Sequence, residues 1–285
     1  MATTPTPQLR FFDERFGGKT AQLKHFLHLS RLQLTSSFFN DEAQTYVSFE
    51  QYNFKKANDW VDALRDLEKI LPEQEYQVQK NLQVCISNDL YTLIPQTLFD
   101  EKELETYLSF NHPIESNHQL KFHFTKLESS NAVVVFAIPR SLEFMLKAKL
   151  PPHNLLHFSA PILEAVGFNK MTSNELLINV QMEQFEVIHA PNGQLKFFNS
   201  FQYQSKEDFI YYLLYVMEQL NLEREQSKII LVGEIEKDSA TFKLLYTYIN
   251  EVTLGEKPQN VEFSAVLNQL NNHSNFSLFH QHLCG

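Results

Sequence analysis

The residues that could do chemistry in this chain fall into a few small groups. His280, His282 and Cys284 alternate, so an extended segment would carry three metal-type ligands on one face. Asp59, Asp62 and Asp66 recur at roughly helical spacing among Arg65 and Lys69, while Glu101, Glu103 and Glu105 crowd a second segment. Paired carboxylates of this kind can serve as general acid and base. His153 and His157 stand four apart, and Cys85 is the other cysteine. Each group also has a plainer reading. The C-terminal histidines read as a frayed tail, because metal ligands are held by rigid elements and a supporting shell. The carboxylates read as solvated helix faces. His153 and His157 follow Pro151-Pro152, which speaks against a shared helix face. Cys85 lies in the apolar run Leu82-Gln83-Val84-Cys85-Ile86 and reads as a small buried hydrophobe. No metal site and no catalytic set is expected, and neither GxSxG nor HExxH occurs.

Composition narrows the function further. Only 7 of 285 residues are glycine, and none lies between Gly18 and Gly167. Loops that cradle phosphate depend on glycine for positive φ and for close approach of backbone N–H groups. Neither GxGxxG nor a Walker A sequence is present. A net charge of −10, from 34 acidic against 24 basic residues, disfavours nucleic acid or an anionic membrane as partner. Two cysteines exclude a disulfide framework. The N-terminus lacks the charged and apolar regions of a signal peptide, and no apolar stretch approaches a membrane span, so the cytoplasm is the expected compartment.

The elements that must position any site follow from periodicity. Residues 1–22 read as a flexible tail, 23–154 as a first domain and 155–285 as a second. Phe26 to Ser30, Gln33 to Phe39 and Thr45 to Tyr52 form a three-strand meander. A helix from Lys55 to Leu71, a strand from Lys80 to Ser87, a helix from Asp100 to Phe110, a hairpin of Gln119–Leu127 with Ala132–Ile138, and a short helix follow. After a bridging segment, Leu155 to Phe168, the order begins again. Leu176 to Gln181, Gln184 to Ala190 and Leu195 to Tyr203 are strands, the last two joined by the turn Pro191-Asn192-Gly193. Ser205 caps a helix from Phe209 to Leu220, then come a strand from Lys228 to Val232 and a helix from Thr241 to Val252. Ser48-Phe49 matches Ser200-Phe201, and both fourth strands open on lysine, at Lys80 and Lys228. The pattern is a β-β-β-α-β-α unit used twice.

Two such halves resemble the actin, hexokinase and Hsp70-like ATPases, a duplicated actin-like (ribonuclease H-like) α/β fold with two domains around a cleft. The stretches Cys85 to Asp100 and Asn192 to Leu214 are similar to an uncharacterised bacterial domain-of-unknown-function family whose structural members carry this fold. A more distant similarity is to actin-like proteins of type IV pilus assembly and bacterial cell division. In active members of the superfamily the resemblance implies an Asp, a Gly and a Thr or Ser in the turn after each half's first strand, acting on Mg²⁺ and phosphate, and a glycine pair near the adenosine. Here those positions hold Asn179, Gln181 and Gln184, with Gly233 and Glu234 at the adenosine element. The first-half turn, Ser30-Arg31-Leu32, has neither carboxylate nor glycine. Arg31, Gln181 and Glu234 stand where glycine would admit nucleotide. The expectation is therefore a pseudo-ATPase: no cofactor, ATP not expected, and a protein partner met through a surface rich in aromatics, with 25 Phe and 11 Tyr. The alternatives are an ATP-binding actin-like protein of the pilus or division type, or an enzyme using the cleft for other chemistry.

Overall fold

A computed structural model describes residues 6–17, 20–54, 59–71, 81–114, 119–168 and 171–284. The expected start of the first helix at Lys55, its end at Pro72 and the first residue of the next strand, Lys80, lie outside these. The chain divides into two compact units, residues 1–161 with 260–269 and 277–285, and residues 162–259 with 270–276.

The first unit contains strands β1 (Leu9–Phe12), β2 (Lys24–Ser30), β3 (Gln33–Asn40), β4 (Thr45–Tyr46), β5 (Ser48–Asn53), β6 (Leu82–Ser87), β7 (Tyr91–Pro95), β8 (Leu120–Leu127), β9 (Ala132–Pro139) and β10 (His153–His157). Its helices are α1 (Trp60–Ile70), α2 (Leu104–Ser109) and α3 (Arg140–Lys149), and α4 (Ser159–Phe168) carries the chain into the second unit. The large sheet runs β1-β5-β3-β2-β6-β10. The β2–β3 and β3–β5 pairs are antiparallel, while β6 lies parallel to both β2 and β10. β6 is buried along its whole length, as a strand covered on both faces must be. β7, β9 and β8 form a separate antiparallel sheet inserted between β6 and α3.

The second unit has strands β11 (Glu175–Val180), β12 (Gln184–His189), β13 (Phe197–Gln202), β14 (Lys228–Gly233) and β15 (Glu251–Leu254), with α5 (Lys206–Gln219) and α6 (Ala240–Tyr248). The sheet order is β13-β12-β11-β14-β15, antiparallel through the first three and parallel through the rest. This is third, second, first, fourth, fifth, the same order and directions as β5-β3-β2-β6-β10. The duplication read from the sequence is thus present in the topology. The Asn192-Gly193 turn enters β13 with φ of 54° and 77°, which is why these two residue types stand there. Phe185, Phe209, Leu213, Phe242 and Leu245 join α5 and α6 to the sheet in one core. Each such fully buried side chain contributes roughly 1.5 to 3 kcal/mol.

Four stretches differ from the sequence reading. Residues 9–12, inside the expected tail, pair antiparallel with β5, and Asp13 accepts a hydrogen bond from the Ser264 hydroxyl. The α6 helix ends at Tyr248, because the chain turns into the parallel edge strand β15. The bridging segment is β10 followed by α4. The C-terminus is folded and not frayed: β16 (Glu262–Phe263) lies parallel to β4, and α7 (Phe276–Phe279) is followed by a helical turn. Tyr46 Oη donates to Phe279 O at 2.9 Å, and the buried Gln281 donates to Leu27 O at 3.1 Å. These contacts place residues 260–269 and 277–284 in the first unit, where the sequence had put the whole terminus in the second domain. No helix among the described residues is long and apolar enough to cross a membrane.

Candidate functional site

The β11–β12 hairpin brings three of the expected positions together. With a two-residue turn at Met182-Glu183, Asn179 falls directly opposite Glu186, and Gln181 and Gln184 lie on the same face. Asn179 Nδ2 donates to Glu186 Oε2 at 2.7 Å. Gln181 Nε2 donates to both Glu186 oxygens at 3.1 Å, and Gln184 Nε2 to Oε1 at 2.9 Å. Glu186 is fully buried. Burial pushes its carboxyl up to about 7, against the pull of the three amide hydrogen bonds. No Lys, Arg or His among the described residues is paired with it. Chemically the arrangement can hold a proton near neutrality and lock the hairpin.

The backbone around this carboxylate is internally satisfied. Gln181 N–H donates to Gln184 O at 2.8 Å and closes the turn. Tyr203 Oη donates to Gln181 O at 2.8 Å, and burial, then the charges of Glu234 and Glu186, raise its phenol. Glu234 N–H donates to Val180 O at 2.7 Å, and Gly233 N–H to His273 O at 2.8 Å. Gly233 has φ of 90°, and a Cβ added there would sit 2.2 Å from Val180 O and 3.0 Å from Asn179 Oδ1. Its glycine character follows from this parallel approach of β14 to β11. In the first unit, Ser30 Oγ accepts from the N–H groups of Leu32 and Gln33, each at 3.1 Å, so the turn at Arg31 is closed on its own serine.

The other groups lie elsewhere. Asp59 caps α1 by accepting from Asp62 N–H, while exposed Arg65 pairs with half-buried Asp62 and exposed Lys69 with half-buried Asp66. Glu101 and Glu103 form a 3-10 turn opening onto α2. Cys85 is buried, its thiol pushed up to about 12 by desolvation, with Ser277 Oγ 3.6 Å away. His153 and His157 begin and end β10, and His157 is held by Ser159 Oγ at 2.8 Å and Asn88 O at 3.1 Å. His280 is buried, and the His282 ring stacks on Phe39. Sequence reasoning missed Glu186, Tyr203 and His273. The signal for Glu186 was available: a two-residue turn after Gln181 puts position 186 across from 179.

A model of the family described as "Protein of unknown function (DUF3822)" matches residues 18–252. The chain belongs to that family. Among solved structures it is similar to a protein from Bacteroides thetaiotaomicron with an actin-like ATPase fold and unknown function, at 20% identity and a TM-score of 0.77. That match covers 94% of this chain and 98% of the other. It is also similar to a chain of the PilM–PilN type IV pilus biogenesis complex, at 10% identity and a TM-score of 0.55, covering 92% and 98%. No curated protein matches significantly. The fold of this DUF3822 member is therefore the actin-like ATPase fold, as the paired sheets and the sequence resemblance both implied.

Proposed function

We propose that this DUF3822 protein is a non-enzymatic member of the actin-like fold, a pseudo-ATPase of the cytoplasm that works by protein–protein contact as an interaction or assembly factor. The observation that carries the reading is the convergence of Asn179, Gln181 and Gln184 on Glu186. In the wider superfamily these positions serve Mg²⁺ and phosphate through a carboxylate, a glycine and a hydroxyl. Here each holds an amide whose N–H group is spent on a buried neighbour. The N–H groups of Gln181, Leu32 and Gln33 are likewise engaged within their own turns. The similarity to a chain of a PilM–PilN complex supports a role through a protein partner.

The test is thermal unfolding of the full chain with and without Mg²⁺ and ATP. A ligand at 100 times its dissociation constant adds about 2.7 kcal/mol and raises the melting temperature clearly. The expected result is no shift at millimolar Mg-ATP. A reproducible upward shift would overturn the reading in favour of an ATP-binding protein.

A further inference from the structure

β8 is an edge strand, and the hydrogen-bond register shows which of its backbone groups face outward. Ala137 N–H donates to Leu90 O, so Val133, Val135 and Ala137 of β9 bond to β7 and the residues between them bond to β8. Arg140 N–H, donating to Gln119 O, sets the same phase. Lys121, His123, Thr125 and Leu127 therefore hold the β8–β9 ladder, whose register is unbroken from Leu120 to Leu127. The N–H and C=O groups of Phe122, Phe124 and Lys126 point away from β9, and none of them has a partner among the described residues. Leu120 O ends this open stretch by accepting from Arg140 Nε at 3.1 Å. The other sheet edges are shorter or blocked. β1 and β15 have four residues each and β10 has five. On β13, Ser200 N–H is taken by Asn199 Oδ1 at 3.0 Å, and β7 ends on Pro95, which has no N–H to offer.

We propose that β8 pairs antiparallel with β8 of a second copy of this chain, joining their three-stranded sheets into one continuous sheet about a two-fold axis. The strand's own sequence argues for this occupant. Only outward-facing backbone groups can form the new bonds, so Phe122, Phe124 and Lys126 must meet one another or Leu120. That parity forbids the register that would set Lys121 on Lys126. In the register centred on His123, Phe122 meets Phe124 of the second copy and Phe124 meets Phe122, each pair exchanging its N–H and C=O groups and stacking aromatic against aromatic. Lys121 then lies beside Thr125 and Lys126 beside Leu120, with no like charges opposed. Centring on Phe122 or Phe124 instead would match only one phenylalanine with another. Both rings are already held by the core around Leu108 and Val135, so little ordering is left for pairing to impose. The assembly also closes, because the joined sheet ends on β7 and Pro95 at both sides. This pairing does not rest on the nucleotide-site positions, so a Mg-ATP melting shift would leave it standing.

The experiment uses the full chain. Sedimentation velocity at tens of micromolar is expected to show a dimer. In amide hydrogen exchange resolved to single residues, Phe122 and Phe124 should exchange at least about tenfold more slowly in the dimer than after dilution to monomer. His123 and Thr125, bonded to β9 in both states, should not change. This measurement needs no substitution. The register has its own readout, in a Cys284→Ser background where the remaining cysteine, Cys85, is buried. His123→Cys sets two thiols across the axis in a non-hydrogen-bonded pair with Cα atoms about 4.5 Å apart, within the span of a disulfide, and mild oxidation should give a covalent dimer. Lys121→Cys is the control, since its twin lies about 14 Å away along the strand and should not cross-link. A chain that stays monomeric overturns the proposal and leaves the edge to a strand from another protein. A dimer in which Phe122 and Phe124 exchange as fast as in the monomer overturns it in favour of another surface, as does cross-linking at position 121 and not at 123.

Discussion

Asn179 and Glu186 face each other across the antiparallel β11–β12 pair, with Asn179 Nδ2 2.7 Å from Glu186 Oε2. A buried carboxylate solvated by neutral amides carries an uncompensated charge when ionised, which is why its proton is held up to about 7 against an ordinary 4.5. Between those values the folded chain binds a proton that the unfolded chain has released. The resulting stability is therefore full below about 4.5 and is lost as pH rises through about 7. Glu186→Gln cannot titrate. In urea unfolding, the stability of the native sequence relative to this variant should be greater at pH 5 than at pH 8, by about 3 kcal/mol at most. A relative stability independent of pH would place the carboxyl at its ordinary value.

His157 works in the opposite direction. Its Nε2–H donates to Asn88 O and its Nδ1 accepts from Ser159 Oγ, so the neutral ring is fully engaged. Burial lowers its pKa to about 3, and it lowers buried His25 to about 3 and His28 to about 4. Unfolded histidines take up a proton near 6.5, so the stability from His157 is full above that pH and is lost as pH falls from there to about 3. His157→Gln should destabilise the chain at pH 7.5 yet remove about 2 kcal/mol of the further loss between pH 7.5 and pH 5. Urea midpoints at the two pH values would measure both parts.

The Ser205 cap is a local prediction with a clean readout. Ser205 Oγ accepts from Asp208 N–H at 3.1 Å, and Asp208 Oδ2 accepts from Ser205 N–H at 3.0 Å, completing a capping box on α5. Ser205→Ala should cost about 1 kcal/mol, measured by the denaturant midpoint with an unchanged slope.

These sites differ in how legible they were. Ser205 was readable because a cap is set by its immediate neighbours, and Asn192-Gly193 because two positive φ values demand those residue types. The repeated strand order was readable because the hydrophobic period changes at each element. Glu186 was harder to read, since Gln184-Phe185-Glu186-Val187 alternates like any strand with one wet face, and only the register of the two-residue turn, which sets 186 across from 179, marks it out. A non-local cause hid β1, whose four residues form a strand only against β5, and the C-terminal turn, ordered by Tyr46 and Gln83. Asn179, Gln181 and Gln184 were picked out by resemblance to nucleotide-binding turns; their shared partner became visible only with the hairpin register in place.

Gly233 separates a structural from a ligand-binding purpose for the residue at the end of β14. If the glycine existed to admit an adenine ring, Gly233→Ala would leave the unliganded fold nearly as stable as before. The geometry predicts otherwise. A Cβ would meet Val180 O at 2.2 Å, a backbone atom that cannot rotate away, and φ of 90° is strained for any L side chain. The N–H of Gly233 is bonded to His273 O and that of Glu234 to Val180 O, so the strand end has no slack to take up the clash. Gly233→Ala should therefore cost about 3 kcal/mol or more in urea unfolding without any nucleotide present. Gly17→Ala is the control, because φ there is −55° and the nearest atom to an added Cβ, Glu14 O, lies 3.1 Å away, so the loss there should be smaller. Equal, small losses at both positions would return Gly233 to the list of ligand-contact candidates.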